Sequence, residues 1–276
     1  MHITFLVNKD IESNYALNIL TAKLSHHSMT IFLSDHVGKK DGGAPEIKRL
    51  KYLEQTLFND HVFPKIEKLP TENRFLTFNE LGERIGREVT SLNKINSVKG
   101  LEKLRDSAPD LIVSIRYGSI IKSEVMAVPP LGILNLHSGL LPQYRGVMAT
   151  FWAKLNGEEN MGCTLHYITD GTIDTGPIVS SFQNKIDPTK DYLSNVIGLY
   201  PGGCELIINA LNQIEAEKPL KSEKTEGESN YYTFPNAKDF DRFKNMGCKL
   251  FSPSELIQFV QKYYHHNLTE DLITYE

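Results

Sequence analysis

Residues 110–137, DLIVSIRYGSIIKSEVMAVPPLGILNLH, decide the fold. The run after Asp110, LIVSI, is apolar at nearly every position, the mark of a strand covered on both faces, and its end is expected at Tyr117-Gly118. After IIKSEVMAVPP a second strand, GILNLH, is expected at 132–137. The β-α-β order of residues 2–35 suggests that these strands join a parallel sheet.

Working outward toward the N-terminus, HITFLV at 2–7 reads as a strand, and 12–25, with Tyr15, Leu17, Ile19, Leu20 and Leu24 at helical spacing, reads as a helix. TIFLSD at 30–35 reads as a second strand, followed by a turn-like GKKDGG at 38–43, and a short strand is expected from Glu88 to Leu92. Residues 45–85 exceed an ordinary connection and contain an amphipathic stretch, EIKRLKYLEQTLFNDHVFPKIEKL, which is expected to form an inserted helical lid or arm. A helix at 97–107 leads into the strand at 110.

Toward the C-terminus come a helix through Trp152, a strand GCTLHYI at 162–168, and a helix from Pro188 to about Lys218 that Pro201-Gly202-Gly203 must kink or split. The tail from Tyr231 reads as a polar loop and two short helices. The expected fold is α/β: a Rossmann-like, doubly wound, mostly parallel sheet with a helical insertion and a short C-terminal helical extension. The division is residues 1–215 as the catalytic domain, with the insertion at 45–85, and 216–276 as an extension without a separate barrel domain.

With 40% apolar and 23% charged residues over 276 positions, the chain has the composition of a soluble protein with a sizeable core. No stretch of about 18 apolar residues occurs and the first apolar run is too short for a signal sequence, so a cytoplasmic protein is expected. A net charge of −4 with scattered Lys and Arg disfavours nucleic acid as a partner. Cys163, Cys204 and Cys248 are far apart, show no zinc-site spacing and read as small buried residues; no metal is expected.

The chemistry concentrates in residues 132–179. Asn135 and His137 stand two apart on a strand and share a face at its C-terminal end, where open parallel sheets bind ligands. An amide donor beside an imidazole suits a carbonyl carbon passing through a tetrahedral intermediate, attacked directly by an amine, since neither group is a strong nucleophile. TDGTIDTGP offers Asp170 and Asp174 in a loop whose glycines let a carboxylate fold back toward His137, favouring the imidazolium. Taken singly, each of these residues also fits a structural role at a strand end or turn.

NLHSGLLPQYRG followed by ITDGTIDTGPIV resembles the formyltransferase family that uses 10-formyltetrahydrofolate. The block covers about a sixth of the chain. The resemblance implies that Asn135 and His137 stabilise the oxyanion formed when an amine attacks the formyl carbon, and that Asp174 tunes His137. It also implies 10-formyltetrahydrofolate as donor, with its pteridine held by the backbone of Arg116, Tyr117, Gly118, Ser119 and Ile120 and by the loop of Ile168, Thr169, Asp170 and Gly171. Relatives often read His-Pro-Ser or His-Gly-Ser where this chain has His137-Ser138-Gly139, which removes any assigned role for Ser138. A glycine-rich phosphate loop would mark a glycinamide ribonucleotide enzyme, but after the first strand this chain reads NKDIESN.

Among acceptors, a small amine, and in particular an amino-sugar nucleotide, is the expectation. Methionyl-tRNA is set lower for want of a basic surface or an appended barrel, and water, the deformylase reaction, for want of a preceding regulatory domain. Asn8, Lys9, Tyr144 and Arg145 are the candidate acceptor residues, although Asn8 and Lys9 also read as loop and cap residues and Arg145 as a loop anchor. A folate-binding protein without catalysis is the alternative of another class; a dinucleotide oxidoreductase lacks its G-x-G-x-x-G. Homodimerisation through the tail helices or the 45–85 segment stays open.

Overall fold

The computed structural model describes residues 1–35, 44–224 and 227–274; the turn expected at 38–43 lies outside them. Strand β1 (His2–Asn8) leads through α1 (Ile11–Lys23) to β2 (Ser28–Ser34). A continuous helical segment follows: α2 (Pro45–Lys51), a π-helical stretch Tyr52–Val62 and α3 (Phe63–Ile66). Next come α4 (Phe78–Ile85), β3 (Thr90–Ser91), α5 (Val98–Asp106), β4 (Leu111–Ile115), α6 (Ser123–Met126) and β5 (Ile133–His137). The chain continues through β6 (Arg145–Gly146), α7 (Ala149–Leu155), β7 (Asn160–Tyr167), β8 (Ile178–Lys185), α8 (Tyr192–Ile197), α9 (Tyr200–Glu215), β9 (Tyr231–Tyr232), α10 (Ala237–Asn245), α11 (Pro253–Tyr264) and α12 (Glu270–Thr274).

Seven strands form one sheet in the order β3-β2-β1-β4-β5-β7-β8. The five from β3 to β5 are parallel, as expected, whereas β7 and β8 add an antiparallel edge that the sequence reading did not anticipate. A two-residue run that ends at Ser91 replaces the strand expected over 88–92, and β4 stops at Ile115 rather than at Tyr117.

The period-two alternation of the strands sorts their side chains into two layers. Ile3, Phe5 and Val7 of β1, with Leu111, Val113 and Ile115 of β4, join one apolar cluster, while Leu6, Ile112 and Ile133 enter a second on the opposite face with Leu104 of α5 and Val125 of α6. This two-sided cover makes the sheet doubly wound. Each fully buried Leu, Ile or Phe contributes about 1.5–3 kcal/mol.

The 45–66 segment is helical but is no lid. Leu50, Leu53, Leu57, Phe58, Val62, Phe63 and Ile66 all lie in the larger cluster, which runs from Ile3 to Ile273. Rings of the tail lock onto it: Phe58 and Phe63 meet Tyr264 at centroid distances of 6.1 and 5.8 Å, and Tyr264 Oη donates to Asn14 Oδ1 at 2.6 Å. Phe243 of α10 stacks on Phe151 at 4.5 Å. The helix expected from Pro188 is split at Gly198-Leu199, and Pro201 sits in the first turn of α9, where its missing N–H leaves no bond unmade. Among the described residues no helix is long and apolar enough to cross a membrane.

Candidate active site

β5 ends the parallel part of the sheet, and it sets Ile133, Asn135 and His137 on one face. Its antiparallel neighbour β7 places His166 directly opposite Asn135 and Thr164 opposite His137. Asp174 comes from the loop between β7 and β8, held in the left-handed region at φ 55°. Four side chains thus meet at one strand end.

Their hydrogen bonds fix their orientations. His166 Nδ1 lies 2.9 Å from the Tyr167 carbonyl, which only a proton on Nδ1 can satisfy; in the neutral ring Nε2 is then an acceptor. The amide atom facing it at 3.0 Å is therefore the donor Nδ2 of Asn135. One N–H of that amide is used, leaving the second for a ligand. His137 Nε2 donates to the Tyr144 carbonyl at 2.6 Å, and its Nδ1 is 3.4 Å from Asp174 Oδ2, so a proton on Nδ1 completes a bridge between ring and carboxylate.

Asp174 also accepts from the Gly146 amide at 2.9 Å and lies 3.5 Å from His166 Nε2. Burial pushes its carboxyl upward, but the charge of His137, the His166 ring and the Gly146 amide outweigh this and hold it at about 2. Two glycines make the close packing feasible. A Cβ on Gly139 would come within 2.6 Å of His137 Nε2 and 2.8 Å of the Tyr144 carbonyl, and one on Gly176 would strike the Tyr167 carbonyl at 1.7 Å. The order His137-Ser138-Gly139 is accordingly required by this geometry, since any side chain at 139 would break the bond that seats His137.

The other candidate residues divide. In the 116–120 segment, Gly118 N–H donates to Ser34 Oγ at 3.0 Å, the Ile120 carbonyl accepts from Asn96 at 2.8 Å, Ser119 Oγ donates to the Asn93 carbonyl, and Tyr117 Oη bonds the Leu92 carbonyl. Those backbone groups of 118 and 120 are engaged within the fold. Ile168 N–H is engaged with the Ile133 carbonyl at 2.9 Å, and Asp170 turns the 168–174 loop by accepting from Thr172 N–H at 2.8 Å; Thr169 and Gly171 are exposed.

Two of the acceptor candidates are corrected. Asn8 is buried, with Nδ2 donating to Asp10 at 2.6 Å and Oδ1 accepting from Ser34, so its side chain holds the β1–α1 turn rather than a ligand. Tyr144 is also buried; its hydroxyl donates to Glu158 at 2.7 Å and its ring stacks on Tyr232, leaving it a positioning residue through its carbonyl. Lys9 is half-buried beside them. Arg145 stays at the mouth: Nε donates to the Ile173 carbonyl at 3.0 Å, Nη1 to Ser229 at 3.1 Å, and the guanidinium lies 5.8 Å from the ring centre of Tyr231.

The side chain of Arg116 enters a buried ion cluster instead of the crevice. Its Nε is 2.7 Å from Asp10 Oδ2, and its Nη2 is 2.8 Å from Glu54 Oε2 and 3.5 Å from Glu12 Oε1. Burial drives the Glu12 carboxyl well above its ordinary range despite Arg116, with Glu54 and Asp10 adding to the rise.

His166 is the functional residue that the sequence reading missed. Its signal lay in GCTLHYI, but only an antiparallel β7 beside β5 brings that histidine opposite Asn135.

Residues 83–196 match the family model described as formyl transferase. A methionyl-tRNA formyltransferase of Syntrophus aciditrophicus is 34% identical over 137 residues, which are 48% of this chain and 42% of that protein. The chain thus spans under half the length of the curated relatives it matches. A sugar N-formyltransferase from Shewanella shares the fold at a TM-score of 0.56 with 18% identity, covering 88% of this chain and 86% of that one. So does an N-formyltransferase from Helicobacter canadensis solved with folinic acid and dTDP-3-aminofucose, at 0.55 and 16% identity over 86% and 71% of the two chains. The matched segment carries Asn135, His137, His166 and Asp174, and in it this chain is similar to the formyl transferase family.

Proposed function

We propose that the chain transfers a formyl group from 10-formyltetrahydrofolate to the amine of a small acceptor. The observation that carries this reading is the gathering of Asn135, His166, His137 and Asp174 at one strand end, where His166 orients the Asn135 amide and Asp174 faces His137 Nδ1. The donor supplies an acyl carbon already bonded to a nitrogen leaving group. The free N–H of Asn135 is oriented to hydrogen-bond the oxygen as it gains charge during amine attack. Both nitrogens of His137 are committed, Nε2 to the Tyr144 carbonyl and Nδ1 to Asp174, so the ring stabilises the developing oxyanion while the amine proton passes to the Asp174 carboxylate and from there to the folate nitrogen as its bond to the formyl carbon breaks. The loops 116–120 and 168–174 flank this strand end and remain the candidate folate slot.

As acceptor we favour an amino-sugar nucleotide. Arg145 and the half-exposed Tyr231 offer a cation and an aromatic face beside Gly146, whose amide holds Asp174, and the structural neighbour from Helicobacter canadensis was solved with such a sugar. A second reading, methionyl-tRNA, is favoured by the 34% identity to tRNA formyltransferases.

The test is tetrahydrofolate release from 10-formyltetrahydrofolate with amino-sugar nucleotides, glycinamide ribonucleotide, charged initiator tRNA or no acceptor, beside an Asn135→Ala/His137→Ala control. Turnover with amino sugars that disappears in the control is expected. Turnover with tRNA alone would replace the acceptor, turnover without acceptor would make the protein a deformylase, and folate binding without turnover would end the catalytic reading.

A further inference from the structure

Among the described residues, two groups of side chains outside the four-residue site bring three ligating atoms together: Asp10, Glu12 and Glu54, and His26, His27 and Glu215. The first group already holds a cation, since the guanidinium of Arg116 lies at the centre of its carboxylates. The second is built differently. Two imidazole nitrogens and one carboxylate converge, and nitrogen donors of this kind suit Zn²⁺ and its first-row neighbours.

The three ligand atoms lie within 4.8 Å of one another, and each imidazole stands at the donor–donor separation of a tetrahedral ion from one oxygen of Glu215. Zn–N and Zn–O bonds of about 2.0–2.2 Å at tetrahedral angles put neighbouring donors about 3.4 Å apart. Here His27 Nε2 is 3.3 Å from Glu215 Oε1, and His26 Nε2 is 3.4 Å from Glu215 Oε2. The two rings lie against each other with centroids 4.1 Å apart, so that both Nε2 atoms face the same carboxylate. The side chain of His27 is only 1% exposed, and its Nε2 is buried without a hydrogen-bond partner, 3.3 Å from Glu215 Oε1. His26, at 55%, leaves the other side open for an ion to enter and for solvent ligands to complete its shell.

We propose that His26, His27 and Glu215 form a Zn²⁺ site, with the two Nε2 atoms and a Glu215 carboxylate oxygen as ligands. The ion clips the turn between α1 and β2 to the end of α9. The site stands at the start of β2, whereas the candidate active site stands at the opposite, C-terminal edge of the sheet, about 20 Å away along a seven-residue strand. The ion's role is therefore to tie elements together, not to join the transfer chemistry. Adjacent histidines give no metal signal in the sequence; the third ligand arrives only when α9 packs on α1, 188 residues later.

The full chain, stripped with a chelator, should be titrated with Zn²⁺ by calorimetry at pH 7.5, and with Co²⁺ by visible absorption, beside His26→Ala and Glu215→Gln, both partly exposed positions that leave the core intact. One ion per chain is expected, with at least about a tenfold loss of affinity in each variant. Free Zn²⁺ at a hundred times Kd should raise Tm by about 5–10 °C in the wild type and not in the variants, while circular dichroism of the metal-free forms stays the same. Absence of Zn²⁺ binding by the wild type, or equal binding by both variants, would overturn the site and leave a plain histidine–carboxylate ion pair.

Discussion

Two charged clusters stand at the same end of the sheet, one on β5 and β7 and the other where β1 and β4 give way to their loops. Ile115 pairs with both Val7 and Leu136, so Arg116 and His137 follow at equivalent levels on adjacent strands. In the first cluster one carboxylate, Asp174, serves two imidazoles, and a side-chain N–H of Asn135 is left for a ligand. In the second, three carboxylates crowd one guanidinium and its bonds are spent on them. Proximity of charge therefore does not identify chemistry. What distinguishes a reactive cluster is protons that can move and donors not yet used.

The largest effect should come from breaking the first cluster. Asn135→Ala removes the oriented donor and His137→Ala the charge behind it; each should lower the formyl-transfer rate by about 10²–10³-fold, and the double variant by less than the product because the two act on one charge. His166→Phe sharpens the point, since Asn135 then loses the partner that orients it: kcat should fall with KM for folate nearly unchanged, and Gln at 166 should recover part of the rate. Steady-state kinetics on the same acceptor panel separate these outcomes.

The second cluster should respond in stability. Arg116→Ala leaves Asp10, Glu12 and Glu54 buried without their cation and should cost about 3–5 kcal/mol in urea unfolding. Because the Glu12 carboxyl is already driven upward by burial, Glu12→Gln added to Arg116→Ala should return part of that loss. An additive double variant would mean that Glu12 is not coupled to Arg116.

These two clusters were unequally legible in the sequence. Asn135 and His137 could be read because a strand alternates its faces; glycines in the following loop offered both Asp170 and Asp174, and the family resemblance chose Asp174. The parallel sheet followed from unbroken apolar runs at β1, β2 and β4. His166 escaped notice because strand direction is not encoded locally: β7 reads the same whether it runs with β5 or against it. Arg116, adjacent to the folate-loop candidates, gave no hint that Asp10, Glu12 and Glu54 would collect its side chain, since these contacts span up to 106 residues. Asn8 and Tyr144 read as polar residues free for a ligand, and only the packing shows their bonds consumed at home. The 45–66 segment read as an arm because its partner face, the rings of α11, lies some 200 residues further along.

Smaller than the effect at either cluster is the pH dependence of Asp174. Its carboxyl is held at about 2, below the ordinary 3.8. A depressed acid stabilises the fold at pH values above the unfolded value and loses that contribution as pH falls through the folded one. The fold should therefore lose ~2 kcal/mol between pH 4 and pH 2 from this group, a loss absent in Asp174→Asn. Urea midpoints of the two proteins across that window test it, and parallel curves would mean that Asp174 is not held by His137.

The smallest effect concerns a further buried carboxylate, one held by hydrogen-bond donors rather than by a cation. Asp191 caps α8 by accepting from Ser194 N–H at 2.7 Å, and burial, aided by the like charge of Glu255, pushes it up to about 6. The sign is opposite to that of Asp174: ionisation is disfavoured in the fold, so stability falls as pH rises from about 4 through 6. Asp191→Asn keeps a capping oxygen and removes the charge. It should gain about 1 kcal/mol at pH 7.5, less than the full shift because a neutral amide accepts the Ser194 N–H more weakly than a carboxylate does. At pH 4, where Asp191 is already protonated in the fold, the two proteins should unfold together. A gain at both pH values would trace the effect to packing, and the contrast between a carboxylate held by imidazoles and one held by the neutral donors of Ser194 and Ser252 would lose its electrostatic basis.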